Sequence, residues 1–344
     1  MKLKRIVWTI IIVMLITASL GVAFTRNRAP KAVSDSKWLM GTLVEMRVFG
    51  PRSALDGAFK RIEEIDKAMS RTAEDSHVYN INQKAGQSWV SVDKDTLHVI
   101  QTAIEYARLT DGLYDPSIGP LVEIWGIGTE QAKIPQPEAI QKAQSLIDYQ
   151  AIKVDTKGRR VKLERSEMAL DLGGIAKGYG ADAATEFLRS KGVQSAFLNL
   201  GGNVYVVGGK PDGSPWRIGI QDPEGARGTH IAILEVKDTS IVTSGPYERY
   251  FLEDGTRYHH ILDPTTGFPA ESGLVSVTIV SPSSLTADAL STGVFVLGRE
   301  KGLALLESLD NVEGILITCD HQIYATSGLK GRLLSVAKGF DLHE

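Results

Sequence analysis

The chain has 344 residues, 43% of them hydrophobic and 23% charged, which suits one large or two modest folded domains and excludes a mainly disordered, collagen-like or coiled-coil protein. Five of the 38 basic residues lie within residues 1–30, which hold no acid, so the remainder carries 33 basic against 41 acidic residues, a net charge of −8. So acidic a body gives no global reason to bind nucleic acid, and the single cysteine, Cys319, excludes an internal disulfide or a multi-cysteine metal site.

Lys2, Lys4 and Arg5 precede an apolar run from Ile6 to Phe24, broken only by Thr9, Thr17, Ser19 and Gly21. Its length approaches the thickness of a bilayer core, so residues 1–24 read as a long signal peptide or an uncleaved membrane anchor. Gly21-Val22-Ala23 is a passable cleavage site, which leaves both open. The basic n-region favours export of the body across a bacterial inner membrane, to the periplasmic or outer face. Residues 25–36 read as a linker and 37–344 as the folded domain.

Along the body, Trp38 to Val48 alternates as a strand. Leu55, Ala58, Phe59, Ile62, Ile65 and Met69 recur at helical spacing. Asp95 is placed to cap a second helix that runs to Ala107, with Gly112 past its end. A third helix is expected over 137–147 and a fourth over Ala176 to Ser190. Ser195 to Tyr205 predicts two strands about Gly201-Gly202. Trp216 to Ile220, Ile231 to Val236 and Val275 to Val280 predict further strands. Helices follow over Leu285 to Leu297 and Lys301 to Leu309, then strands over Val312 to Thr318 and Gln322 to Ala325. Cys319 reads as a buried strand residue. Strands and helices alternate without a Rossmann rhythm, and the class is α+β.

Five segments carry chemistry. In Asp171-Leu172-Gly173-Gly174-Ile175-Ala176-Lys177-Gly178-Tyr179-Gly180, two glycines before a helix let backbone amides approach an anion, and Lys177 can pair with a phosphate; a plain strand–turn–helix explains the same residues. Asp288 and Thr292 share a helix face, a carboxylate and a hydroxyl suited to a hard cation; a solvated polar face, or Thr292 bonding back to a helix carbonyl, explains the same pair. Asp288 interrupts an otherwise apolar helix, and a buried carboxylate needs a partner. His259 and His260 follow a strand and precede Asp263-Pro264 and Thr266-Gly267, which read as turns; a histidine there is placed for acid–base work. Tyr114-Asp115-Pro116-Ser117-Ile118-Gly119-Pro120 with Trp125-Gly126 is a rigid loop whose aromatics either stack on a planar ring or cap the core. Thr243-Ser244-Gly245 can contact phosphate, and Ser244 lacks the Gly-x-Ser-x-Gly setting of a hydrolase nucleophile.

Taken in order with Met40-Gly41-Thr42, Met69-Ser70, Ser76, Asn82, Gly201-Gly202-Asn203 and Thr286-Ala287-Asp288-Ala289, these segments resemble the ApbE family, the FAD:protein FMN transferases. The likeness runs from about Trp38 to beyond Leu297, and rests on many short motifs in one order. It implies a single α+β module with mixed sheets and flanking helices around an FAD cleft. It implies Mg2+-dependent splitting of the FAD diphosphate, with FMN passing to a threonine or serine hydroxyl of an acceptor flavoprotein, such as a membrane redox-pump subunit, and AMP leaving. By the same resemblance Asp288, Thr292 and a backbone oxygen near Ala176 hold the metal and His260 is catalytic. FAD contacts fall to Met40, Asn82, Asp115, Lys177, Asp182 and Ser244. The family's common lipobox cysteine is absent, Gly180 stands where an alanine is common, and His259 leaves open a shared base role. The same residues also suit an FAD pyrophosphatase with water as nucleophile, or an FAD-binding protein without turnover.

Overall fold

The computed structural model of the protein describes residues 31–226 and 228–343. The segment 1–24 and residues 25–30 of the expected linker lie outside them. In chain order the elements are β1 (Ala32–Leu39), β2 (Thr42–Phe49), α1 (Arg52–Met69), α2 (His77–Gln83), β3 (Val90–Ser91), α3 (Lys94–Leu109), α4 (Gly119–Trp125) and α5 (Pro137–Ser145). Then come β4 (Ile152–Asp155), β5 (Arg160–Leu163), α6 (Ala176–Ser190), β6 (Ala196–Leu200), β7 (Asn203–Val207), β8 (Trp216–Gln221), β9 (His230–Val236) and β10 (Thr239–Ser244). The chain continues through β11 (Tyr250–Glu253), β12 (Thr256–His259), β13 (Leu274–Ser281), α7 (Ser284–Leu297), α8 (Arg299–Glu307), β14 (Glu313–Thr318), β15 (Gln322–Ala325), β16 (Leu333–Leu334) and β17 (Asp341–His343).

Nine strands form the central sheet in the order β1-β2-β6-β7-β10-β13-β14-β15-β17. Neighbours pair antiparallel except β15 with β17. Period-two alternation gives each strand two apolar uses. On one face Val44, Met46, Leu198 and Leu200 pack with Leu55, Phe59 and Ile62 of α1 and with Ala181, Ala184 and Leu188 of α6. On that side α7 lays Leu290, Val294 and Phe295 against Val242, Val277, Ile279 and Leu316. The intervening residues, Val206, Ile241, Ile315 and Ile317, face a second sheet, β16-β9-β8. Beyond the helices, Leu285 and Ala289 of α7 and Ala176 and Ala183 of α6 meet α2, α3 and the small sheet β3-β5-β4. Thus α6 and α7 form an inner layer covered on both sides, which is why α7 is apolar almost all round.

Several expectations are corrected. Trp38 to Val48 is not one strand but part of a hairpin turned by Met40 and Gly41, both at positive φ (52° and 68°). The expected linker ends early, because residues 32–36 are the first half of β1. The cap of α3 is Asp93, which accepts from Thr96 N; Asp95, one step inside the helix, instead bonds Arg61 and the Tyr179 hydroxyl. The third helix stops at Ser145. Cys319 lies just past the end of β14 and is exposed.

Candidate active site

The centre of the site is where the start of α6 meets α7. Asn82 holds the approach by a double hydrogen bond to Leu170, its amide donating to Leu170 O (3.0 Å) and its oxygen accepting from Leu170 N (2.7 Å). The turn follows, with Asp171 Oδ1 accepting from Gly173 N (2.7 Å). The Arg71 guanidinium lies 3.3 Å from the other oxygen of Asp171. Where α6 begins, Ala176 N–H donates to Leu172 O, and the next two residues address Asp288. Lys177 Nζ lies 3.2 Å from Asp288 Oδ1, and Gly178 N–H donates to Oδ2 at 2.9 Å. Only 2% of Asp288 is exposed, and a carboxyl so buried needs such partners. Gly178 is required by the close approach: a Cβ there would sit 2.2 Å from Ser284 O and 2.8 Å from Asp288 Cβ.

One helical turn beyond Asp288, the Thr292 hydroxyl faces the glycine turn. A Cβ on Gly174 would lie 3.4 Å from Thr292 Oγ1 and 3.3 Å from Tyr114 Cε2. Ser244, at the end of β10, shares a 2.8 Å hydrogen bond with Ser291 Oγ, which donates to Asp288 O. A carboxylate, a hydroxyl and the nearby backbone of Ala176 are all hard oxygen donors. They fit a divalent cation that takes its remaining ligands from phosphate and water. Among the described residues no cluster of three or more His, Cys, Asp or Glu side chains is placed to hold a metal, so any such site is of this sparse kind.

The opposite part of the site is built by the ribbon β11–β12, a two-stranded sheet of its own. Its register puts the last residue, His259, on the inner side and His260 on the outer. His259 Nε2 donates to Ala270 O (3.2 Å) and Nδ1 accepts from Ile261 N (3.3 Å). Its ring packs edge-on against Phe295. Both nitrogens are used, so His259 is a core residue and has no free atom for a base role. Half-buried His260 donates from both N–H and Nδ1–H to Arg249 O, at 3.1 and 3.2 Å. Nδ1 therefore carries a proton, and in the neutral ring Nε2 is the acceptor. Burial, followed by the charges of Arg249 and Lys177, pushes the His260 pKa down to about 3. Arg249 also donates to Gly41 O (3.1 Å), tying the ribbon to the β1–β2 turn.

Met40 reaches the same region: its N–H donates to Asp66 Oδ2 (2.8 Å), and its Sδ lies 3.1 Å from where a Cβ on Gly180 would sit. The glycine at 180 thus makes room for Met40. Asp115 and Asp182 are placed differently from free ligand-binding groups. Asp115 accepts from Ser117 N, Ser117 Oγ and Tyr149 N. Asp182 accepts from Ser284 N, Leu285 N and Ser283 Oγ, capping α7 across space. Burial raises the pKa of both, against those hydrogen bonds. So the structure joins Lys177, Asp288 and Ser244 where α6 meets α7, with Thr292 beside the glycine turn, sets Met40 against Gly180 and His260 against Arg249 O, and gives Asn82, Asp115 and Asp182 bracing hydrogen bonds. Trp125 is fully buried, donates to Gly267 O and stacks with Tyr258, so that loop caps the core. Asp263 and Gly267 form the expected turn, closed by Gly267 N–H to Asp263 O. Sequence reasoning gave no role to Arg249, whose only signal was a cation after Thr243-Ser244-Gly245, and saw Tyr114 only as an aromatic of the Pro/Gly loop.

An α+β module with a glycine turn and a lysine set against a buried aspartate defines a protein suited to an anionic substrate. The ApbE family model matches residues 40–316, and the chain belongs to that family. It is 34% identical to the FAD:protein FMN transferase of Treponema pallidum over 352 residues, covering 97% of each chain. It is 35% identical to a Klebsiella pneumoniae protein of the same name, covering 91% of this chain and 97% of that one. Among solved structures it resembles the ApbE protein of Thermotoga maritima (TM-score 0.82, 35% identity, 88% of this chain and 99% of that one). The flavin transferase ApbE of Vibrio cholerae is similar too (TM-score 0.77, 30% identity, 88% and 99%).

Proposed function

We propose that the protein transfers FMN from FAD to a threonine or serine hydroxyl of an acceptor protein, releasing AMP. The observation that carries this reading is His260 Nδ1 held as a donor to Arg249 O, which leaves Nε2 as the ring's acceptor. Lys177 and the Gly174 amide hold the diphosphate and stabilise charge on it, while the Gly173 amide is taken by Asp171 Oδ1. His260 Nε2 takes the proton from the acceptor hydroxyl as its oxygen bonds to the FMN phosphorus. The bridging P–O bond breaks and AMP departs. A Mg2+ ion held by Asp288, Thr292 and the Ala176 backbone oxygen would neutralise the diphosphate and ease departure of the AMP. The acceptor is a flavoprotein subunit, for which a membrane redox pump is one setting. No helix among the described residues is long and apolar enough to cross a membrane. The basic n-region and apolar run of residues 1–24 support export and anchoring at the outer face of the inner membrane.

The test incubates the full chain with FAD, Mg2+ and an acceptor domain, reading protein-bound flavin by in-gel fluorescence and AMP in parallel. Covalent flavin on the acceptor, lost in Asp288→Ala and in His260→Ala, is the expected result. FMN and AMP without labelling of any acceptor would make the protein a pyrophosphatase instead.

A further inference from the structure

Tyr114 is one of several described residues with a buried polar side-chain atom that has no hydrogen-bond partner. It follows α3, and its N–H donates to the buried Thr110 hydroxyl at 3.0 Å. The side chain is pressed between two glycines. A Cβ on Gly293 of α7 would fall 3.2 Å from Tyr114 Cβ, and one on Gly174 would fall 3.3 Å from Cε2, the ring carbon next to the one bearing the hydroxyl. The two glycines therefore let the phenol lie flush against α7 and the anion-binding turn, beside Thr292 Oγ1. Yet its hydroxyl is buried without a hydrogen-bond partner. Tyr106, a half-buried tyrosine beside α7, bonds Thr286 Oγ1 at 2.8 Å. Leaving a hydroxyl orphaned costs stability that a phenylalanine would not.

The surroundings say what the hydroxyl is suited to. Burial first, then the carboxylates of Asp288, Asp171 and Asp115, hold it protonated far above the usual range. It is therefore a neutral donor whose ring edge and the half-buried Thr292 hydroxyl both border Gly174. A donor of that kind is satisfied by an anionic oxygen entering next to Thr292. We propose that the Tyr114 hydroxyl hydrogen-bonds a diphosphate oxygen of FAD, adding a neutral donor to the charges of the glycine turn and Lys177. This rests on the FAD reading above and deepens it.

The test uses Tyr114→Phe in the full chain, with a chelator present so that FAD is not consumed. Dissociation constants are measured by calorimetry for FAD, for ADP (a diphosphate without the flavin) and for riboflavin (a flavin without the diphosphate). Thermal unfolding is followed in parallel. FAD and ADP should each weaken roughly tenfold or more while riboflavin is unchanged, and the unliganded variant should melt no lower than the wild type. Tyr106→Phe is the control: it should melt lower and bind FAD as the wild type does. Unchanged FAD and ADP affinities in Tyr114→Phe, with the wild type binding both, would overturn this inference alone and leave the hydroxyl an orphan of packing. A wild type that binds no FAD would overturn the functional reading along with it.

Discussion

Lys177 Nζ lies 3.2 Å from Asp288 Oδ1, joining the first turn of α6 to the middle of α7 through a carboxylate that is almost wholly buried. The pair places the residue suited to the diphosphate against the residue suited to the metal, and each sets the position of the other. Lys177→Ala leaves the carboxylate with the Gly178 N–H as its remaining partner. Urea unfolding should show a loss of about 2 kcal/mol or more, and AMP release should fall at least tenfold. Full stability in this variant would mean that the pair is not what holds the two helices in register.

The two adjacent histidines predict a pH dependence. The fold holds His259 at about 4, through burial, and His260 at about 3, against 6.5 for a free side chain. Between those values the unfolded chain binds protons that the folded one does not. Stability contributed by both is complete above pH 6.5 and falls as pH drops below it. His259→Gln, which keeps a donor and an acceptor, should flatten the slope by about one proton. For the reaction, kcat/KM should show no acid limb from an imidazole near pH 6.5. An NMR titration of His260 with a midpoint near 6.5 would contradict this.

Gly178→Ala tests the closeness of the helices. The added methyl group meets backbone on one side and Asp288 Cβ on the other, neither of which can swing away. Destabilisation of about 2 kcal/mol or more, together with loss of transfer, is expected; a fully stable and active variant would show that α6 and α7 have slack.

Asp182 separates bracing from binding. Its three accepted hydrogen bonds satisfy the start of α7, so Asp182→Ala should cost about 1–2 kcal/mol in denaturant unfolding. FAD affinity measured well below the midpoint should stay within about twofold. An affinity loss without a stability loss would assign the carboxylate to FAD instead.

How much of this was legible depended on how far each signal travels along the chain. Asp288 was visible because an acid in an otherwise apolar helix violates the local pattern, and its partner at Thr292 lies one turn away. His260 was visible as a histidine after a strand, but only the contacts of His259 with Ala270 O and Ile261 N separate the two. The work of Asp182 was not visible, because the backbone groups it caps lie about a hundred residues further on. Asp95 looked like a cap because it has the right side chain one turn before an apolar stripe; Asp93, two positions earlier, has the same chemistry and the required extended backbone. The Met40-Gly41 turn was read through because methionine seldom takes positive φ. Tyr114 was legible only as an aromatic on a Pro/Gly loop: nothing in sequence says that Gly174 and Gly293 will close on it. The layers followed from alternation, but not that α6 and α7 would be covered on both sides.

The most direct test of the central claim is the stoichiometry of the reaction run in water enriched in oxygen-18. The full chain, FAD, Mg2+ and an acceptor domain are combined, with AMP, covalent flavin and free FMN quantified by mass spectrometry. A hydroxyl nucleophile activated by His260 predicts one covalent FMN on the acceptor for each AMP, with no heavy oxygen in the attached phosphate. AMP well in excess of covalent flavin, matched by free FMN carrying the heavy oxygen, would mean that water is the nucleophile the cleft serves.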